Sequence, residues 1–195
     1  MARPREFDMV QTLNNAMDVF WAKGYASTSL DDLLSSMKIG KGSFYQAFKS
    51  KHNLYLLTLE MYKDYMTDRA KSIVSGKKGL KAIQTLFETL IDEMYSGEIK
   101  KGCFVCNAAV ENSGRDLQIN KLTSSGFNNF IEILSSLVVE AQKKGEISKE
   151  HDARDIANWL FNTAYGLTIL GKSNIKKSTL KMIAKNSLDI IKQKF

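Results

Sequence analysis

The chain has 195 residues, 44% of them apolar and 25% charged, and a formal net charge of +7. Length and composition are those of a folded globular protein with a substantial core. No apolar run approaches the ~18 residues of a membrane span, MARPREF lacks the apolar stretch of a signal peptide, and two cysteines are too few for a disulfide scaffold. The expected setting is the reducing cytoplasm, with an anionic partner.

A single proline, Pro4, and the lack of alternating β-branched runs give an all-α reading with roughly nine helices. The first is expected from Phe7 to Lys23, where Phe7, Val10, Leu13, Met17, Phe20 and Trp21 recur at helical spacing and Gly24 follows as a stop. Ser29 can cap a second helix, with Asp32 placed for a capping box. Gly40 and Gly42 bracket the start of a third. Ser50 then caps a long fourth helix through Val74, with Leu54, Leu57, Met61 and Tyr65 on one face and Gly76 and Gly79 at its end. Larger helices follow at about 80–95, 102–112, 116–144, 152–170 and 175–194. No Ser/Gly-rich linker intervenes, so the fourth helix is expected to join a small N-terminal module, residues 1–52, to a larger bundle, residues 53–195.

Residues 28–54, TSLDDLLSSMKIGKGSFYQAFKSKHNL, organise the rest. Leu30, Leu33, Leu34, Ile39, Phe44 and Phe48 can close a miniature core. Thr28, Ser29, Lys38, Lys41, Ser43, Tyr45, Gln46, Lys49, Lys51 and His52 are left outside, and from Lys38 to Leu54 there is no carboxylate. Hydroxyls, an amide and cations on one face suit a polyanion that must also be read for detail.

The run Leu33-Leu34, Ile39, Lys41-Gly42, Phe44-Tyr45, Phe48, Ser50-Lys51 and Leu54 resembles the helix-turn-helix signature of the TetR family of transcriptional regulators. Trp21 to Tyr25, WAKGY, is similar to that family's end to its first helix. The resemblance implies an N-terminal three-helix DNA-binding domain whose third helix enters the major groove. By that analogy Lys41, Gly42, Ser43, Tyr45 and Gln46 face the groove or its rim, with Gln46 suited to a base edge. Tyr45, Lys51, Thr28 and Ser29 would hold phosphates, and Lys38 joins the DNA face. Three departures stand out: Met37-Lys38 where the family has Ala-Gly, Gly40 for a capping Ser, and Ala47 for a His. Lys38 is therefore expected to adopt the positive φ that Gly tolerates cheaply.

For the remainder the resemblance implies a helical bundle that binds a small molecule and dimerises through its last two helices. Ile156, Leu160, Thr163, Leu167 and Leu170, with Leu180, Ile183, Leu188 and Ile191, are the candidate dimer face. Met61, Tyr65, Phe87, Met94, Cys106, Asn107, Phe127, Phe130, Trp159, Asn162 and Tyr165 are the candidate pocket, for a mostly apolar effector. Gly126 and Gly166 interrupt helical patterns, where close packing or ligand space would explain a cost of about 1 kcal/mol.

The segment KGCFVCNAAVE, residues 101–111, is the most distinctive of this half; similar runs occur in some TetR-like regulators. Cys103 and Cys106 read as buried apolar residues or as a thiol-based redox sensor or oxidoreductase. A zinc site needs more ligands than His52 and His151 supply. The tail, residues 172–195, carries seven Lys against one Asp and reads as a dimer helix with a basic edge or, taken alone, as a membrane-surface segment. No Ser/His/Asp constellation, paired-carboxylate site or P-loop is present. The reading is thus a homodimeric repressor of a palindromic operator, released by a small molecule: not an enzyme, with no cofactor or metal and no membrane partner.

Overall fold

Asp8 starts the first helix by accepting the Val10 and Gln11 amides on its side chain at 2.9 and 3.2 Å. A computed structural model of the chain describes residues 8–96, 101–112, 114–173 and 175–192; the expected helix start at Phe7 and end near Lys194 lie outside them. Among the described residues every regular element is a helix: α1 (Met9–Lys23), α2 (Leu30–Met37), α3 (Lys41–Phe48), α4 (Lys51–Val74), α5 (Gly79–Met94), α6 (Phe104–Asn112), α7 (Leu117–Lys143), α8 (Ala153–Gly171) and α9 (Lys177–Lys192). The expected elements are all present, with ends shifted by a residue or two.

The chain forms two compact units. One comprises residues 1–64 and 104–123, and the other residues 65–103 and 124–195. Packing thus groups α6 with the N-terminal helices, although α5 precedes it in sequence. The helices α4 and α7 contribute residues to both units.

In the first unit Phe20, Leu33, Phe44, Phe48, Leu54, Tyr55 and Leu59 are essentially inaccessible to solvent. Removing each such side chain from water contributes roughly 1.5–3 kcal/mol. Aromatic rings knit the helices together. Phe20 meets Tyr55 edge-on at 4.9 Å, Trp21 meets Tyr62 at 4.9 Å, and Phe104 of α6 packs edge-on to Tyr55 and Tyr62 at 5.6 and 5.8 Å. The amide of Asn15 on α1 donates to the Ser36 carbonyl, and the Ser36 hydroxyl donates back to the Asn15 carbonyl.

The second unit is built on α5, α8 and α9, which pack pairwise. Its core holds Ile83, Leu86, Phe87, Leu134, Val138, Leu160, Leu167, Leu180 and Leu188. Gly79, at φ +60°, lets α5 start against Ala141, where a Cβ would meet backbone at 3.3 Å and collide with the Glu146 carboxylate. The Leu80 amide donates to that carboxylate at 2.8 Å.

Candidate nucleic-acid interface

The helix-turn-helix is assembled by local chemistry. Ser29 accepts the Asp32 amide while Asp32 accepts the Ser29 amide, a complete capping box at the start of α2. Lys23 on α1 pairs with Asp32 at 2.6 Å. The Lys23 side-chain hydrogen bond, then those from Ser29, lower the Asp32 pKa to about 2. The turn after α2 closes with Lys38 at φ 54°, ψ 40°, its amide donating to the Leu34 and Ser35 carbonyls. Lys therefore occupies the left-handed conformation for which the family uses Gly.

Gly40 opens α3 without a side-chain cap, so the first amides of the helix stay open to an anion. Phe44 and Phe48 are fully buried, holding α3 to its own core, while Lys38, Lys41, Gly42, Ser43, Tyr45, Gln46 and Lys49 are exposed. Tyr45, 46% exposed, braces edge-on against Phe44 at 5.2 Å. A Cβ at Gly40 or Gly42 would meet nothing within 4 Å, so packing within the chain requires neither glycine.

Two expected phosphate holders are placed differently. Thr28 is buried, its hydroxyl donating to the Gly24 carbonyl at 2.6 Å. The Lys51 ammonium donates to the Thr28 carbonyl at 2.7 Å and stands 4.4 Å from the Tyr25 ring centroid. Both side chains thereby fasten the entry to α2 rather than stand free on the surface. Ser29 remains exposed at that end.

The pocket candidates are divided between the two units. Met61, Cys106 and Asn107 belong to the first, and the others to the second. In the second, Phe127, Phe130 and Tyr165 gather around Phe161. Phe161 lies 5.2 Å from Phe127, 6.3 Å from Phe130 and 6.4 Å from a stacked Tyr165. Phe161 was not among the candidates, although its spacing from Tyr165 along α8 was a usable signal. A Cβ at Gly166 would meet nothing within 4 Å, so close packing does not account for that glycine. Tyr65 and Trp159 are 59% and 50% exposed and Asn162 is also exposed, so none of the three is enclosed within the chain. Phe87, almost wholly buried, borders the floor of a groove of about 440 Å³ between α5 and α9, and no other pocket candidate does. Met94 lies close to Gly171. Cys106 is buried and Cys103 half-buried, without a disulfide.

Burial divides the candidate dimer face. Ile156, Leu160, Leu167, Leu180 and Leu188 are at most 6% exposed and belong to the chain's own core. Thr163, Leu170, Ile183 and Ile191 are partly exposed. The apolar residues left outside on α8 and α9 are Trp159, Ile169, Met182 and Ile190.

Comparison with known proteins agrees with this geometry. Residues 13–57 match the family model described as bacterial regulatory proteins, tetR family, and residues 79–181 match that of the tetracyclin repressor-like C-terminal domain. The chain belongs to the TetR family. It is 25% identical over 193 residues to the uncharacterized HTH-type transcriptional regulator YezE of Bacillus subtilis, covering 98% of this chain and 100% of YezE. It is 26% identical over 188 residues to the HTH-type transcriptional repressor ComR of Escherichia coli, covering 95% and 90%. Among solved structures it superposes on a cysteine mutant of the TetR family regulator CifR, complexed with 26-bp double-strand operator DNA. That match has a TM-score of 0.82 at 25% identity, covering 96% of this chain and 98% of CifR. This TetR-family chain is thus a helix-turn-helix transcriptional regulator. Among the described residues no helix is long and apolar enough to cross a membrane.

Proposed function

We propose that this TetR-family chain is a homodimeric repressor that binds a palindromic operator and is released by a small, mostly apolar effector. The observation that carries the reading is the outer face of α3. Lys41, Ser43, Tyr45 and Gln46 are exposed on a helix whose N terminus is uncapped and whose two glycines answer to nothing inside the chain. Gly40 and Gly42 would allow close approach of a phosphate backbone. Gln46 is the base reader, suited to the N6 and N7 edge of adenine. Lys41 and Tyr45 hold phosphates, with Ser29 and Lys38 at the flanks.

Trp159, Ile169, Met182 and Ile190 supply the face against a second copy. Two-fold symmetry then sets the half-sites a helical turn of ~10 bp, or a multiple of it, apart. The aromatic group of Phe127, Phe130, Phe161 and Tyr165 supports an apolar effector. Release requires that the effector bind more tightly to a dimer whose recognition helices are wrongly spaced, with α4 as the coupling element. The relation to ComR, a repressor by name, supports repression. Footprinting the purified protein on the DNA flanking its own gene is the test. The expected result is one protected inverted repeat, and uniform protection without one contradicts the reading.

A further inference from the structure

Glu111 stands on the last turn of α6, outside the helix-turn-helix and 85 residues along the chain from the backbone it touches. Its two carboxylate oxygens accept consecutive amides, Tyr25 N–H at 2.9 Å and Ala26 N–H at 2.7 Å. These amides begin the turn that leaves α1 and enters the Ser29 cap of α2. The carboxylate lies against the bare Cα of Gly24, where an added Cβ would come within 3.1 Å of it. Gly24 is at φ +81°, a conformation that other residues adopt at a cost.

The same turn is gripped from α4. Lys51 donates to the Thr28 carbonyl and stands over the Tyr25 ring, while the Tyr25 and Tyr55 rings lie 4.8 Å apart. The turn is therefore held both from α4, through Lys51 and Tyr55, and from α6, through Glu111. A carboxylate bound to two amides makes charge-assisted hydrogen bonds, about twice as strong as neutral ones. Loss of that anchor frees the stretch that sets where α2 begins, and α2 is the helix that lies across the DNA backbone.

We propose that Glu111 is a positioning residue for operator binding: it locks the α1–α2 turn so that α2 and α3 meet DNA in one fixed pose. The assignment rests on the operator-binding reading above. It makes α6, which lies outside the helix-turn-helix, a strut for the DNA-reading helices. Pose matters for reading bases, and far less for non-specific attraction to phosphates. The effect should therefore fall on specificity.

The test compares full-length wild type, Glu111→Gln and, as a control on a remote exposed acid, Glu150→Gln. Each is titrated by fluorescence anisotropy with the footprinted operator and with scrambled DNA. Glu111→Gln is expected to weaken operator binding about tenfold, since the carboxamide keeps one accepting oxygen for the two amides and turns an NH2 donor toward the other. Scrambled-DNA affinity should change less than twofold, and amide exchange at Tyr25 and Ala26 should accelerate. Equal losses on both DNAs, or unchanged operator affinity, overturn the assignment. If the wild type itself does not prefer operator, the operator-binding reading fails instead. Should Glu111→Gln not fold, Glu111→Asp, whose shorter side chain does not span both amides, is read by the same criteria.

Discussion

His52 Nε2 lies 2.6 Å from Asp116 Oδ2, tying the first turn of α4 to the residue that begins α7. Asp116 also accepts the Gln118 and Ile119 amides at 2.8 and 3.2 Å, and its own amide donates to Asn112. Burial raises the Asp116 pKa, but the hydrogen bonds from Ile119, His52 and Gln118 outweigh it and leave the pKa lowered. The pair is about one-third exposed, so its coupling is expected to be about 0.5 kcal/mol in a His52→Ala, Asp116→Asn double-mutant cycle read by urea unfolding. Strict additivity of the two changes would show that the contact contributes nothing.

Asp32 predicts an acid dependence. Its folded pKa of about 2 lies below the ordinary value of 3.8, so its contribution to stability is fully present above the unfolded pKa. That contribution fades as pH falls through about 2. The Asp32 carboxyl carbon, followed by NMR, should titrate near pH 2 in wild type and shift upward in Lys23→Ala, which removes the hydrogen bond that lowers it most. A midpoint near the ordinary value in both proteins would refute the pairing.

Lys38→Gly should stabilise the fold while weakening DNA binding. Relief of the left-handed conformation at φ 54° is expected to contribute about 0.5–1 kcal/mol, less the entropy of Gly in the unfolded chain. That corresponds to a rise of roughly 2 °C in Tm. The lost cation should reduce the salt dependence of operator affinity by about one counterion. Calorimetry and a salt titration separate the two effects.

The residues of α8 should divide into two classes. Leu160→Ala opens a cavity in the chain's own core and is expected to cost about 2–5 kcal/mol. Ile169→Glu places a charge on the exposed stripe and is expected to produce monomers in light scattering with secondary structure intact. Dimers that persist in Ile169→Glu would remove that stripe from the interface.

The helices and the recognition motif were legible because their causes are local. Ser29 and Asp32 cap a helix three residues apart, and Lys38 takes the left-handed position of the turn because no Gly stands there to take it. The inward engagement of Lys51 was not legible, since it depends on α4 bringing its ammonium back to the Thr28 carbonyl, 23 residues away. Glu111 was missed for the same reason, as nothing in the KGCFVCNAAVE run points to amides at the end of α1. Part of the expected dimer face lies in the chain's own core because α8 is apolar on more than one side. Periodicity finds Leu160 and Leu167 but does not say whether their partner is α9 of the same chain or a second copy.

The central claim is that the outer face of α3 reads an operator. Anisotropy titration of the footprinted inverted repeat with wild type, Gln46→Ala and Tyr45→Ala tests it most directly. Gln46→Ala is expected to lose about 1–3 kcal/mol of discrimination at one base pair of each half-site. Tyr45→Ala is expected to weaken binding to all sequences alike. Unchanged affinity and specificity in both variants would contradict the account.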